Sequence, residues 1–539
     1  MPKAKLAAGL AAVAVWLWGQ SAEPKDGSVA GTVVNSATGQ PVRAVELSLA
    51  ASGRGEALAT TTDAEGKFRF DRVKPGRYSL RGSKAGYERG NYGATDFGGR
   101  GRTLAVTNQD ITGLEFRLIP LGIIQGKVLN RNGDPVPGVT IACGFEDMYG
   151  APPTMEPLKN ATDERGEFRL PDMPPGRYYV QALPPPPARP GDEGANLPAY
   201  YPAAANFSEA QAIPLRAGQE ASGIKITLRE APVYRVRGKV TGAVWRGAYS
   251  DLDLFLVPRA DAGGPMLGKT YSRAISQRVG GSHAVQPDGS FELHGVERGE
   301  YELVSSFQAP VARVAVSVTN RDVEGVIVPL GDIVQLSVRF QAERETTGLS
   351  CAVLVYPLDN DPALADMAGQ TRIDSLLTFR AMPGKYAPMV RCQPGNWALK
   401  SARLEAGVGA QDVLDAGVDL SGISGSATLT VVVGQGVGTV VATVKDGDKP
   451  APGKWLTLIP DPSRPGRAGL EASGWSDDAG RVVMAGVAPG DYRVYAWRQA
   501  SVSESSVHPE FLKRFEAQSA KVTVRAGEQA QVETRIIQP

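Results

Sequence analysis

The sequence predicts an all-β chain, a tandem array of about five antiparallel β-sandwich domains behind a signal peptide. Three observations carry this. A short motif returns five times: a Gly with an apolar or aromatic residue two positions on, then a Gly corner followed two positions later by an aromatic ring. Between the copies apolar and polar residues alternate with a period of two, the pattern of half-buried strands. After the first 22 residues no stretch keeps a helical period, and residues 509–517 read as one short helix at most.

The motif copies are Gly66 and Phe68 with Pro75, Gly76 and Tyr78; Gly166 and Phe168 with Pro175, Gly176 and Tyr178; and Gly289 and Phe291 with Arg298, Gly299 and Tyr301. The fourth is read as Gly384 and Tyr386 with Pro394, Gly395 and Trp397, and the fifth as Gly480 and Val482 with Pro489, Gly490 and Tyr492. On that reading the corner glycines 76, 176, 299, 395 and 490 are spaced by 100, 123, 96 and 95 residues. Such a period is longer than a solenoid or propeller repeat and matches a whole small domain. The expected division is a signal peptide over 1–22 and sandwiches over 23–120, 121–232, 233–331, 332–435 (the divergent one) and 436–539. The modules abut with few spare residues, which predicts a semi-rigid rod.

Within module 1, Gly31 and Val33 open a strand, and Val45, Leu47 and Leu49 alternate along a second. Asp63-Ala64-Glu65-Gly66 has the residues of a tight hairpin turn. Phe68 and Phe70 alternate along the return, Pro75-Gly76 turns the corner, and Tyr78 with Leu80 begins the next strand. Segments around Leu104–Val106 and Leu114–Leu118 close the module. Seven or so short strands per module, with turn residues every 8–12 positions, make a sandwich.

Lys3 and Lys5 precede a run of 13 residues from Leu6 to Trp18, with Gly19 and Ser21 after it. That is the layout of a secretory signal peptide, and the run is short for a bilayer span. The mature chain is expected to be secreted, periplasmic or extracellular, with no membrane span. The 58 basic and 57 acidic residues leave a net charge of +1, which gives nucleic acid no electrostatic argument. Three cysteines are too few for a disulfide framework. Cys351 and Cys392 share module 4, and either a disulfide or two buried thiols fits them.

The pattern G-x-V, G-x-P-V-x-G-V, D-x-x-G-x-F-x-L, P-G-x-Y resembles the carboxypeptidase regulatory-like domain. Module 2 carries it most fully, in Gly126, Val128, Gly133, Pro135, Val136, Gly138, Val139, Asp163, Gly166, Phe168, Leu170, Pro175, Gly176 and Tyr178. The resemblance implies an Ig-like, transthyretin-like sandwich, grouped with carbohydrate-binding-like folds, in an exported accessory protein that is not an enzyme. The motif residues are turn and core positions, so they specify the fold and name no ligand.

Chemical motifs are sparse. Gly263–Thr270 fits the phosphate-loop pattern but lies where the repeat frame has a variable loop, so no nucleotide is expected. His294 and Glu297 read H-x-x-E, a zinc pair, yet they fall on connector positions and lack further ligands. No catalytic residue, metal or cofactor is expected. Two loops stand out: Tyr87, Arg89, Asn91, Tyr92 and Arg102 in module 1, and Tyr200 and Tyr201 in module 2. Exposed aromatics beside Asn and Arg would suit a sugar or peptide; aromatics folded back over a sheet edge are the competing account, and the favoured one. Two functions follow: binding of a polysaccharide or cell-envelope protein, or a purely structural spacer or assembly component. A metallocarboxypeptidase-associated protein is a distant third.

Overall fold

The computed structural model describes residues 26–51, 57–94, 98–146, 155–185, 195–242, 252, 254–258, 285–305, 313–330, 333–346, 348–358, 367–372, 375–393, 397–407, 409–463, 470–498 and 509–538. The proposed signal peptide lies outside them. The described chain is strand after strand, and no described helix is long and apolar enough to cross a membrane. Its buried apolar side chains gather into five principal clusters, running from Val29 to Leu118, Ile124 to Leu228, Val236 to Leu330, Val334 to Val433 and Val440 to Ile536.

Module 1 shows the frame. The opening strand Gly27–Asn35 is the centre of a three-stranded sheet, between Lys67–Val73 and Ile111–Leu118. The second sheet sets Glu46–Ala51 between Leu58–Thr61 and the corner strand Gly76–Ser83, which also pairs with Gly90–Asn91 and Thr103–Val106. Phe68, Phe70 and Val73 point inward from one sheet, and Leu47, Leu49, Tyr78 and Leu80 from the other. One pair departs from antiparallel order: the closing strand runs parallel to the opening strand, and does so in all five modules. A period of two says which face a residue takes but carries no strand direction.

Local chemistry explains the motif. Asp63 Oδ1 accepts the backbone N–H groups of Glu65 and Lys67 at 3.1 and 2.7 Å, closing the hairpin. Asp163 and Asp477 make the equivalent pairs of bonds. Gly66 has φ +71°, and a Cβ there would come 2.7 Å from the Val33 carbonyl oxygen, so a side chain is barred twice over. Gly31 answers a different demand. The closing strand bulges between Ile111 and Leu114, and the Leu114 carbonyl lies where a Cβ on Gly31 would be.

The corner tyrosine is common to all five modules. Its ring enters the core and its hydroxyl donates to the carbonyl four residues back: Tyr78 to Lys74 at 2.9 Å, Tyr178 to Pro174 at 2.6 Å, Tyr301 to Glu297 at 2.8 Å, Tyr386 to Met382 at 2.9 Å and Tyr492 to Ala488 at 2.8 Å. One residue thus supplies apolar area to the core while its polar atom is satisfied. The fourth of these corrects the sequence reading. The module 4 corner is Pro383-Gly384-Lys385-Tyr386, with corner strand Lys385–Gln393. Pro394 and Gly395 lie outside the described residues, and Trp397 is buried just ahead of the next strand, Ala398–Glu405.

The ends of the array meet. Arg77 of module 1 lies 3.5 Å from Asp478 of module 5, and a Cβ on Gly453 of module 5 would come 2.8 Å from the Arg100 carbonyl. The rod expected from short linkers is therefore not what forms.

Candidate functional site

Between the corner strand and the strand that follows it, each module carries a segment that the motif does not constrain. It is residues 84–102 in module 1 and 184–212 in module 2, where the candidate ligand residues lie. In module 1, Tyr87 accepts a hydrogen bond from Asn35 Nδ2 at 3.2 Å and packs against the core. Tyr92 meets Phe116 edge to face at 6.1 Å, and Asn91 Nδ2 donates to the Gly99 carbonyl at 3.1 Å. Arg89 and Arg102 are exposed. The arginines of this loop thus face water while its tyrosines face the sandwich.

Module 2 repeats the arrangement in register. Tyr92 N–H donates to Leu80 and Tyr201 N–H to Val180, the same position of the two corner strands. Tyr201 packs against the module 2 core. Tyr200 is 5 % exposed and belongs to a small apolar cluster with Ala142, Met155 and Leu183, its ring 6.0 Å from Phe207. Tyr200 therefore offers no free face to a sugar, because the segment that carries it folds down over the sheet. Each candidate set belongs to its own module, and no described contact joins them into one pocket.

The same segment has other uses further along. In module 2 its strand Ala195–Leu197 pairs with Arg229–Ala231, which leads into module 3. Arg229 then grips Glu297 of module 3 with both terminal nitrogens, at 2.9 and 2.8 Å, while its Nε donates to the Pro198 carbonyl at 3.3 Å. That geometry disposes of the H-x-x-E pair: Glu297 is held by an arginine, and His294 Nδ1 lies 3.5 Å from Glu292. No cluster of metal-binding side chains exists among the described residues. The glycine-lysine segment 263–270 lies outside them. In module 4 the segment becomes a hairpin, Ala398–Glu405 with Ala410–Asp412, added beyond the closing strand. In module 5 it becomes the helix Pro509–Lys513 and the turn after it, which lay Phe511 and Phe515 on Trp497 at 6.1 and 5.7 Å. Arg493 anchors that cover through Asp461, Glu516 and Ser519.

Titratable groups fit structural duties. Cys351 and Cys392 face each other across adjacent strands and are joined as a disulfide, with 4.1 Å between their Cα atoms. Burial pushes the Cys143 thiol up to about 12, leaving it protonated and inert. Glu471 lies where module 5 packs on module 4: its neighbour Leu470 packs against the module 4 core, and Tyr356 of module 4 feels its charge. Burial raises the Glu471 carboxyl to about 8. Sequence reasoning missed this site, since an acidic residue beside a turn normally signals exposure.

Residues 28–118 match the family model described as the carboxypeptidase regulatory-like domain. No curated protein matches the chain. Among solved structures, the minor pilin of Streptococcus agalactiae aligns with 41% of this chain and 100% of its own, at 13% identity and a TM-score of 0.23. The shaft pilin SpaA of Lactobacillus rhamnosus aligns with 38% of this chain and 98% of its own, at 10% identity and 0.20. The Bacillus anthracis TIE protein covers 95% of this chain and 73% of its own, at 9% identity and 0.17. At such scores these likenesses carry no argument about function. What the frame, the repeated corner and the family match establish together is an all-β, multi-module protein whose first module matches the carboxypeptidase regulatory-like domain model.

Proposed function

We propose that this chain is an exported, non-catalytic structural protein, an assembly component that holds its modules in fixed relation outside the cytoplasm. The observation that supports it most is the brace between modules 2 and 3. There the unconstrained segment of module 2 is spent on a strand pair with the linker, and Arg229 clamps Glu297 across the junction. A bidentate, half-buried pair of this kind fixes an angle as well as adding energy. The contact of Arg77 with Asp478 favours a compact scaffold over a long spacer. A polysaccharide or envelope protein remains a partner this scaffold can serve, though not by stacking on Tyr200.

Small-angle scattering of the full chain tests this. A scaffold gives one compact radius of gyration, and Arg229→Ala should enlarge it while leaving each module folded. The clamp should be worth ~1–2 kcal/mol to the junction. Modules that tumble independently in the wild-type chain, measured by NMR relaxation, would contradict the reading.

A further inference from the structure

The second sheet of each module has an outer face, and these faces differ in what lies on them. In module 2 the outer face is apolar and covered: Tyr179 packs 4.5 Å from Phe207. In module 5 it carries Tyr495 and Trp497 beneath Phe511 and Phe515. Among its described residues module 1 places no aromatic ring on the strands of that face, and Asp478 of module 5 reaches its edge at Arg77. Its corner strand places Arg77, Ser79 and Arg81 on that face. The register sets Arg81 between Ser48 and Asn91, Ser79 between Ala50 and Thr103, and Arg77 beside Ala105. Arg89 is exposed in the loop just ahead of the short strand Gly90–Asn91 that borders this face.

The result is a shallow floor of serine, alanine and threonine crossed by three exposed arginines. Four residues of strand separate Arg77 from Arg81, about 13 Å, and Arg89 comes just ahead of the neighbouring strand. Arg81 and Arg89 have no carboxylate partner among the described residues. Glu46, opposite Ser83, is the acidic side chain on the described strands of this face. A carboxylate from elsewhere in the chain already reaches it, since Asp478 lies 3.5 Å from Arg77. The equivalent arginine of module 2, Arg177, is instead neutralised by Glu146 at 2.6 Å.

We propose that the outer face of module 1 binds an acidic polysaccharide, a chain whose sugar units carry carboxylates. Guanidinium groups match carboxylates in charge and in planar, two-point geometry. The hydroxyls of Ser48, Ser79 and Thr103 suit sugar hydroxyls between them. The described strands of the face carry no aromatic ring for base stacking, which disfavours single-stranded nucleic acid. This goes beyond a scaffold role and does not depend on it.

The test is affinity of the full-length chain for polygalacturonate, with neutral dextran and single-stranded DNA in parallel. The expected result is salt-sensitive binding to polygalacturonate alone, weakened roughly tenfold or more in the triple variant Arg77→Ala, Arg81→Ala, Arg89→Ala. Arg177→Ala should bind as the wild type does. All three positions are exposed, so an unchanged melting curve certifies the triple variant as folded. Unchanged affinity in the triple variant would overturn the proposal. So would equal binding to dextran, tighter binding to DNA, or no binding to polygalacturonate.

Discussion

Modules 1 and 4 share a corner and differ at an edge. In module 1 the closing strand Ile111–Leu118 is the last of its sheet, and a bulge with Gly113 at φ +73° blunts it. In module 4 the closing strand Ser426–Gly434 is interior, because the hairpin Ala398–Glu405 pairs along it and enlarges the sheet to five strands. An unpaired edge invites another chain, and proteins either twist it away or cover it. One frame here uses both solutions. The choice lies in the segment after the corner strand, which neither the turns nor the tyrosine constrains.

The sharpest test of the shared part is Tyr386→Ala beside Tyr78→Ala. Each should cost its own module ~3–5 kcal/mol, as buried aromatic truncations do. Tyr386, 1 % exposed against 8 % for Tyr78, should lose more. Hydrogen exchange resolved by module reads both. A loss below ~1 kcal/mol in either would mean that the corner is not a common anchor.

The next test concerns what module 4 has and module 1 lacks. Cys351 and Cys392 close a separation of 41 residues, and in the chain-entropy account such a crosslink is worth up to ~4 kcal/mol. Cys351→Ala with Cys392→Ala should lower the denaturation midpoint of module 4 and leave module 1 unmoved. Equal shifts in both modules would tie their stabilities together.

A smaller effect belongs to Glu471. Its folded-state value of about 8 lies above the ordinary carboxylate range. The folded chain therefore holds a proton that the unfolded chain releases, so stability falls as pH rises from about 4.5 to 8 and stays reduced above that. Glu471→Gln should remove this slope and stabilise the junction of modules 4 and 5 by ~1–3 kcal/mol above pH 8. A variant with the wild-type pH profile would show that the carboxyl is solvated.

The sandwich was legible because its punctuation is local. Asp63, Gly76 and Tyr78 each answer a need met within a few residues of themselves, as does the positive φ of Gly66. Module 4 misled because it holds two Pro-Gly-x-aromatic strings, Pro383 to Tyr386 and Pro394 to Trp397, and an even period selected the second. The inserted hairpin makes the spacing uneven, so the period was the wrong arbiter. Tyr200 kept two accounts open, with folding back over the sheet the favoured one, because a loop sequence does not say what it folds against. Arg229 with Glu297 and Arg77 with Asp478 join residues 68 and 401 positions apart, and no pattern in a single chain announces such pairs.

The corner clasp has a consequence for descent. Because each tyrosine finds its acceptor four residues behind itself, a duplicated copy arrives with its anchor complete and asks nothing of its neighbours. Copies can then drift apart wherever the clasp does not reach. A strand brace, an added hairpin and a helical cover are three outcomes of that freedom, written into one interval of a gene that otherwise repeats itself.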